Sequence, residues 1–347
     1  PDGDPILGAA PHLPGFWNDC GWGGHGIMDA PAAGLALAKW IVEGEAASIE
    51  VTPFGAERCD NPCRRKAGAK ILRERKCEQM KVVLVLSDAL RYDVAVAQMG
   101  FLGHLVEVKL ASLYRVIGEL PTMSRPMYET VHTGLPVTEH GVVSNRVVRR
   151  STQPNIFQAA REAGKTTAAA AYSWFSELYN GVPYDLVDGR EVDDESLLIQ
   201  HGRFYAQDFY PDAELFATAG MLVRRFDPDY LLVHPMGMDD VGHKYGADSN
   251  EYRRNAIYQD VALANLIPEW LARGYNVLVT GDHGMNADKM HGGTTPDVRV
   301  APLFLIRPGL PGQGDTGEVV SQLQIAPTIC KLLGVPIPET MKQPPII

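Results

Sequence analysis

The run Lys81-Val82-Val83-Leu84-Val85-Leu86-Ser87-Asp88 constrains the fold of this chain more than any other stretch. Its apolar residues are continuous rather than alternating, the pattern of a strand buried on both faces of a parallel sheet. Two further runs repeat it. Tyr230-Leu231-Leu232-Val233-His234 is followed by Asp239 and His243, and Asn276-Val277-Leu278-Val279-Thr280-Gly281 ends in Asp282-His283. In open α/β sheets, ligands bind beyond the carboxyl ends of the strands. A single Asp there is as readily a helix cap as a ligand. Three strands that each deliver Asp or His to one edge point to a metal site.

From Met80 onward strands and helices alternate, which predicts an α/β fold with a mainly parallel central sheet and helices on both faces. The pattern places a helix over Tyr92 to Met99, a strand over Val106 to Ser112, and a helix ending at Thr133-Gly134. Further helices are expected from Asn155 to Ala163, closed by Gly164, then Asp212 to Phe226, Glu251 to Arg273, and Ile325 to Leu333 before Gly334. Residues 172–211 are rich in aromatics, including Tyr172, Trp174, Phe175, Tyr205 and Tyr210. They form either the core of an irregular subdomain or a small cap that lines a substrate pocket. Residues 1–79 read differently: a Gly/Pro/Trp-rich segment, a small-residue helix from Ala30 to Val42, then a basic linker from Arg58 to Arg75. The boundary is placed at Met80, with residues 1–79 as an N-terminal extension and 80–347 as the catalytic domain.

Composition narrows the partners. The formal net charge of −10 argues against a nucleic-acid polymer, which needs a basic face. No apolar run approaches the roughly 20 residues of a membrane span, so no membrane partner is expected. The absence of a basic-then-apolar leader at Pro1 gives a cytoplasmic expectation. A homo-oligomer is compatible with the sequence. The five cysteines are unevenly spread and do not form a disulfide framework; Cys59, Cys63 and Cys77 lack a neighbouring His to complete a zinc set.

The strand-end groups are Asp88, Asp239, His243, Asp282, His283 and His291. Carboxylate and neutral imidazole are ligands for zinc and similar divalent ions. Two such ions can clamp the attacking and leaving oxygens of a phosphoryl transfer. Asp239-x-x-Gly242-His243 is read as a short loop carrying two ligands, with Gly242 allowing the backbone to fold tightly. The nucleophile is a hydroxyl: Ser124 at an expected helix N-terminus, where the macrodipole favours an oxyanion, with Thr122 as the rival. A bare Ser at such a place is more often an N-cap.

These motifs resemble the alkaline phosphatase superfamily, nearest its nucleotide pyrophosphatase/phosphodiesterase branch. The resemblance rests on Ser87-Asp88-Ala89-Leu90-Arg91-Tyr92-Asp93, Pro121-Thr122-Met123-Ser124-Arg125-Pro126, and Thr133-Gly134-Leu135 with His140-Gly141-Val142-Val143-Ser144-Asn145. It continues through Asp239-Asp240-Val241-Gly242-His243, Gly281-Asp282-His283-Gly284-Met285, His291-Gly292-Gly293 and Ile325-Ala326-Pro327-Thr328-Ile329. It implies a two-metal hydrolase of small-molecule phosphate esters, a phosphodiesterase acting through a phosphoryl-serine. Ser124 would be the nucleophile. Asp88, Asp282 and His283 would hold one metal with it, and Asp239, His243 and His291 the other. The metals would be two divalent ions, zinc with manganese as the alternative. Asn145 would bind phosphoryl oxygens. The branch usually has Thr as nucleophile, so Ser124 is a departure. Sulfatases place an Arg four residues after their nucleophile, where this chain has Tyr128. Phosphomonoester, phosphonate or sulfate ester hydrolysis on the same scaffold, and promiscuity among them, are the alternatives. Separately, Pro1-Asp2-Gly3-Asp4-Pro5-Ile6-Leu7-Gly8, Cys20-Gly21-Trp22-Gly23-Gly24-His25-Gly26 and Ala30-Pro31-Ala32 resemble the C-terminal end of FAD-dependent amine and amino-acid oxidoreductases. A flavin-binding module is the remote alternative, and some 45 residues are too few to bury a flavin.

Overall fold

Along strand β3 (Lys81–Ser87), Val82, Leu84 and Leu86 belong to one apolar core and Val83 and Val85 to another, so the strand is buried on both sides. The computed structural model describes residues 80–347 and the backbone of two earlier strands, β1 (Ile6–Ala9) and β2 (Trp17–Cys20). The chain divides into two units, Pro1–Glu78 and Gln79–Ile347. In the first, β1 and β2 pair antiparallel, with Ile6 opposite Cys20 and Ala9 opposite Trp17. The Gly21–Gly26 loop, the helix expected from Ala30, the basic stretch and Cys59, Cys63 and Cys77 lie outside the described residues.

The second unit is built on nine strands. After β3 come β4 (Ala111–Ile117), β5 (Thr167–Tyr172), β6 (Glu191–Asp193), β7 (His201–Tyr205) and β8 (Tyr230–Val233), then β9 (Tyr275–Gly281), β10 (Val300–Ile306) and β11 (Gly314–Ser321). Their order across the sheet is β11-β4-β10-β9-β3-β8-β5-β7-β6. All run in one direction except β6 and β10, which are antiparallel to the neighbours they pair with. Successive side chains of a strand point to opposite faces, so each face of β3 meets its own helical layer. On one side lie helices Tyr92–Gln98, Gly100–Glu107, Asp212–Phe226 and Asn250–Ala272; on the other lie Ser124–Thr133, Ile156–Glu162 and Ile325–Leu333. This is the mainly parallel α/β sheet with two helical faces that the sequence implies.

Local differences have local reasons. The strand expected from Val106 begins only at Ala111. Leu102, Leu105 and Val106 are spaced i, i+3, i+4, and they form the buried stripe of a helix that ends at Glu107. Lys109 then takes a left-handed turn (φ 55°) into β4. The aromatic stretch divides: Phe175, Tyr179, Phe204 and Tyr205 are buried core, whereas Phe209 is 67% exposed.

Among the described residues, both cores lie within the second unit, Gln79–Ile347. A chain beginning at Met80 is therefore expected to fold cooperatively, with the far-UV spectrum of an α/β protein and a single urea transition. An insoluble product, or one without cooperative unfolding, would show that residues 1–79 complete the core.

Candidate active site

The sheet order brings the ligand candidates together. β3 lies between β9 and β8, both parallel to it, and Ser87 is level with Gly281. Asp88 therefore emerges beside Asp282 and His283, and His234 emerges from β8 on the other side. Asp239 and His243 do not sit on a loop as expected. They lie one turn apart on the helix Gly237–Tyr245, where i and i+4 share a face. Gly242 serves close approach rather than a tight turn: a Cβ there would stand 2.9 Å from both Cγ and Cε of Met285. His291 comes from the connection between β9 and β10.

These six side chains converge. His283 Nε2 lies 3.4 Å from Asp88 Oδ1 and 3.4 Å from Asp282 Oδ2. Asp239 Oδ1 lies 3.4 Å from His243 Nε2 and 3.6 Å from His291 Nε2, and those two nitrogens are 3.2 Å apart. The first group is sealed, with Asp88, Asp282 and His283 at 0% exposure. The second opens to solvent at His243, whose side chain is 44% exposed.

The donor set fits divalent cations. Asp88 Oδ1, Asp282 Oδ2 and Asp239 Oδ1 are buried without a hydrogen-bond partner, although buried polar atoms almost always have one. Each imidazole donates from Nδ1 to a backbone carbonyl: His243 to Lys289 (3.0 Å), His283 to Gly284 (2.9 Å) and His291 to Thr122 (2.8 Å). In the neutral ring this leaves Nε2 as a bare lone pair. Burial pushes the His283 ring down to about 3, and burial lowers His291 too. Burial, and then the Asp88 charge, push Asp239 and Asp282 well above the usual carboxylate range. Burial opposes charge on Asp88 as well, but the neighbouring imidazoles of His234 and His283, and after them the Tyr128 hydroxyl, outweigh it and hold it at about 2. Lone pairs and carboxylate oxygens facing one another repel unless a cation lies between them. Ligands at about 2.0–2.2 Å from a tetrahedral ion stand roughly 3.3–3.5 Å apart, close to the 3.2 to 3.6 Å seen here.

Ser124 is the first residue of its helix and makes no capping bond; its Oγ lies 3.3 Å from His283 Nε2. Thr122 is committed elsewhere. Its hydroxyl donates to Gly293 O (3.1 Å) and accepts from Gly292 N (2.9 Å), so it pins the His291 loop. Asn145 Oδ1 accepts the Arg125 N–H at 3.0 Å, which turns its amide nitrogen outward as a donor. The cations of the motif loops are engaged or exposed. Arg91 pairs with Asp93 (2.6 Å) and Asp248 (2.8 Å). Arg125 is buried, pairs with Glu177 at 2.7 Å and stacks over Trp174, while its Nε and Nη1 lack partners. Arg146 is exposed.

Three supporting residues escaped the sequence reading. Tyr128, one helical turn after Ser124, donates its hydroxyl to Asp88 Oδ2, and His234 Nε2 is 3.4 Å from the same oxygen. Tyr252 donates to the carbonyl of Ala89, whose amide binds Asp282 Oδ1 at 2.9 Å. Ala89 is held at φ 62°, a conformation that costs a non-glycine residue about 1–2 kcal/mol. The signals available were the i+4 spacing of Tyr128 and the strand-end position of His234.

Comparison with known proteins bears on the family and the fold. The family described as Type I phosphodiesterase / nucleotide pyrophosphatase matches residues 82–294. Among curated relatives, mouse (Mus musculus) GPI ethanolamine phosphate transferase 3, catalytic subunit, is 28% identical over 290 residues, which cover 74% of this chain and 24% of that protein. This chain thus spans about a quarter of the length of that relative. Human ectonucleotide pyrophosphatase / phosphodiesterase 5 shares the fold with a TM-score of 0.57 at 16% identity, covering 74% of this chain and 96% of that one. The phosphonate monoester hydrolase from Silicibacter pomeroyi aligns at 0.53 and 16%, covering 77% and 75%. Relatives of this kind are enzymes that act on phosphoric esters. They also correct one expectation. A partner set without a membrane does not stand, because GPI ethanolamine phosphate transferases are named for a lipid-linked glycan. Among the described residues no helix is long and apolar enough to cross a membrane, but that concerns spanning and not what the site receives.

The Gly242 contact gives a direct check. Gly242→Ala is expected to destabilise the protein by about 1–3 kcal/mol through overpacking, against the roughly 1 kcal/mol that Ala gains in a helix. Adding Met285→Ala should relieve the clash. The urea midpoints of the single and double variants decide it: a stabilised Gly242→Ala protein would refute the close approach.

Proposed function

Since this chain belongs to the type I phosphodiesterase / nucleotide pyrophosphatase family, we propose that it cleaves phosphodiesters through Ser124 at a centre for two divalent cations. The observation that carries this reading is the pair of Nε2 atoms of His243 and His291, 3.2 Å apart and both within 3.6 Å of an otherwise unpartnered oxygen of Asp239. Asp88, Asp282 and His283, with Ser124, would hold one cation; Asp239, His243 and His291 would hold the other. A mixed nitrogen and oxygen set suits zinc, with manganese as the alternative. When bound, the cations supply Lewis-acid charge that lowers the Ser124 hydroxyl pKa and offsets charge on the phosphoryl oxygens.

The residues divide the remaining work. Ser124 Oγ attacks phosphorus from the N-terminal end of its helix, where backbone N–H groups favour negative charge. The bond from phosphorus to the leaving oxygen breaks, and the phosphoryl group stays esterified to Ser124 with its second organic substituent. Asn145 offers its amide nitrogen to a phosphoryl oxygen. An acceptor oxygen then attacks phosphorus, and the Ser124 hydroxyl is restored. Water as acceptor gives hydrolysis. An alcohol as acceptor gives transfer, the reading favoured by the relatives named ethanolamine phosphate transferases. A diester is preferred to a monoester because Arg91 and Arg125 are matched by carboxylates and Asn145 is neutral. No guanidinium of the motif loops is left with an unmatched charge in the buried site to meet a second negative charge.

Ser124→Ala is expected to lower kcat by roughly 10³-fold or more while the fold stays intact. Thr122→Ala should cost far less, since its hydroxyl only ties the His291 loop. The opposite ranking would move the nucleophile to Thr122.

A rate panel tests the substrate class. An aryl phosphodiester should show a higher kcat/KM than the matching monoester, phosphonate or sulfate ester. With a phosphoethanolamine diester and an added alcohol, a product carrying phosphoethanolamine on that alcohol would establish transfer. A monoester preferred about tenfold, roughly 1.4 kcal/mol in transition-state binding, would replace the diester reading with a phosphatase.

A further inference from the structure

We propose that Tyr128 and His234 form a two-point clamp on Asp88 that reserves its Oδ1 for a cation and sets the affinity of the sealed half of the centre. The inference rests on the two-cation reading above and concerns residues that this reading leaves without a role.

The two oxygens of Asp88 have different surroundings. Oδ2 accepts the Tyr128 hydroxyl and lies 3.4 Å from His234 Nε2, a long contact for a buried nitrogen that has no other partner, whereas Oδ1 has no partner and faces His283 Nε2 at 3.4 Å. A carboxylate free at both oxygens could rotate about its last torsion or offer both of them to a metal. Donors on one oxygen fix the torsion and leave the other as a single ligand.

Both side chains are fully buried and packed on aromatic neighbours. The Tyr128 ring stacks on Phe175 with centroids 4.4 Å apart, and the His234 ring packs edge-on against Tyr128 at 4.7 Å. Tyr205 donates to the His234 carbonyl at 2.6 Å and lies 3.4 Å from its Nδ1. A phenylalanine would fill the Tyr128 site equally well, so its hydroxyl is explained only by its acceptor. Asp282 shows the contrast. Its supported oxygen takes the backbone N–H groups of Ala89 and His283, both at 2.9 Å, so its orientation depends on no neighbouring side chain. Only Asp88 is oriented by replaceable groups.

The test titrates the metal-free full chain with Zn²⁺ against a chromophoric chelator. The unsubstituted chain should bind two equivalents. Tyr128→Phe, and separately His234→Leu, should weaken one equivalent by about 10–100-fold and leave the other unchanged. His234→Gln keeps a donor and should recover part of the loss. At saturating Zn²⁺, kcat of Tyr128→Phe should return toward the unsubstituted value, with a normal far-UV spectrum throughout. If the unsubstituted chain binds no more than one equivalent, the two-cation reading fails and the clamp with it. If it binds two, and the variants hold both within about twofold, a small effect beside that expected of an outer-shell loss, the clamp alone is overturned. Equal weakening of both equivalents with a lowered unfolding midpoint also overturns it, since packing would then be the cause.

Discussion

Three carboxylates are drawn out of water at one edge of a sheet, and no lysine or arginine is paired with any of them among the described residues. Two unit charges about 4 Å apart repel by roughly 4 kcal/mol at the effective dielectric of a protein site. Asp88, Asp239 and Asp282 can share this place only if something positive joins them or protons neutralise them. The surrounding structure disfavours protonation of His283 and His291 by burial and turns the ring nitrogens toward a place for a cation. Three histidines turn Nδ1 to backbone carbonyls and keep Nε2 inward. Two carboxylates have one oxygen supported and the other left without a partner.

That arrangement follows from strand order. Because β8, β3 and β9 are adjacent and parallel, their carboxyl ends finish at the same edge. Side chains one residue beyond aligned strand ends are neighbours without any special loop. The helices on the two faces then contribute at different depths. Ser124 begins the helix on one face, whereas Asp239 and His243 share one side of the short helix that follows β8. The site is sealed where it is made of strand ends and open where it is made of helix and loop.

Much of this was legible in the sequence for a physical reason. A strand buried on both faces must be apolar throughout, so the polar residue that ends it stands out, and Asp88, Asp282 and His283 are found at once. Other features are ambiguous in one dimension. Gly242 signals a turn in a sequence, yet its function is close packing against Met285 inside a helix. Leu105 and Val106 satisfy either periodicity, and only the partnership with Leu102 makes them helical. Tyr128 and His234, set among Phe175 and other apolar groups, look like ordinary core residues, because their side-chain polar contacts are with residues far along the chain. The membrane expectation failed for a different reason. Composition reports what a chain can itself insert into a bilayer and is silent on the chemistry of what it binds.

Strand β10 runs against both of its neighbours. The segment that leaves β9 therefore re-enters the sheet at the edge it left, without crossing either face. It carries His291 and makes its turn entirely beside the site. Closing a loop costs only about 0.6 kcal/mol for each doubling of its length, and this one lies beyond the sheet edge. The segment that carries His291 can thus lengthen by insertion while the sheet stays fixed.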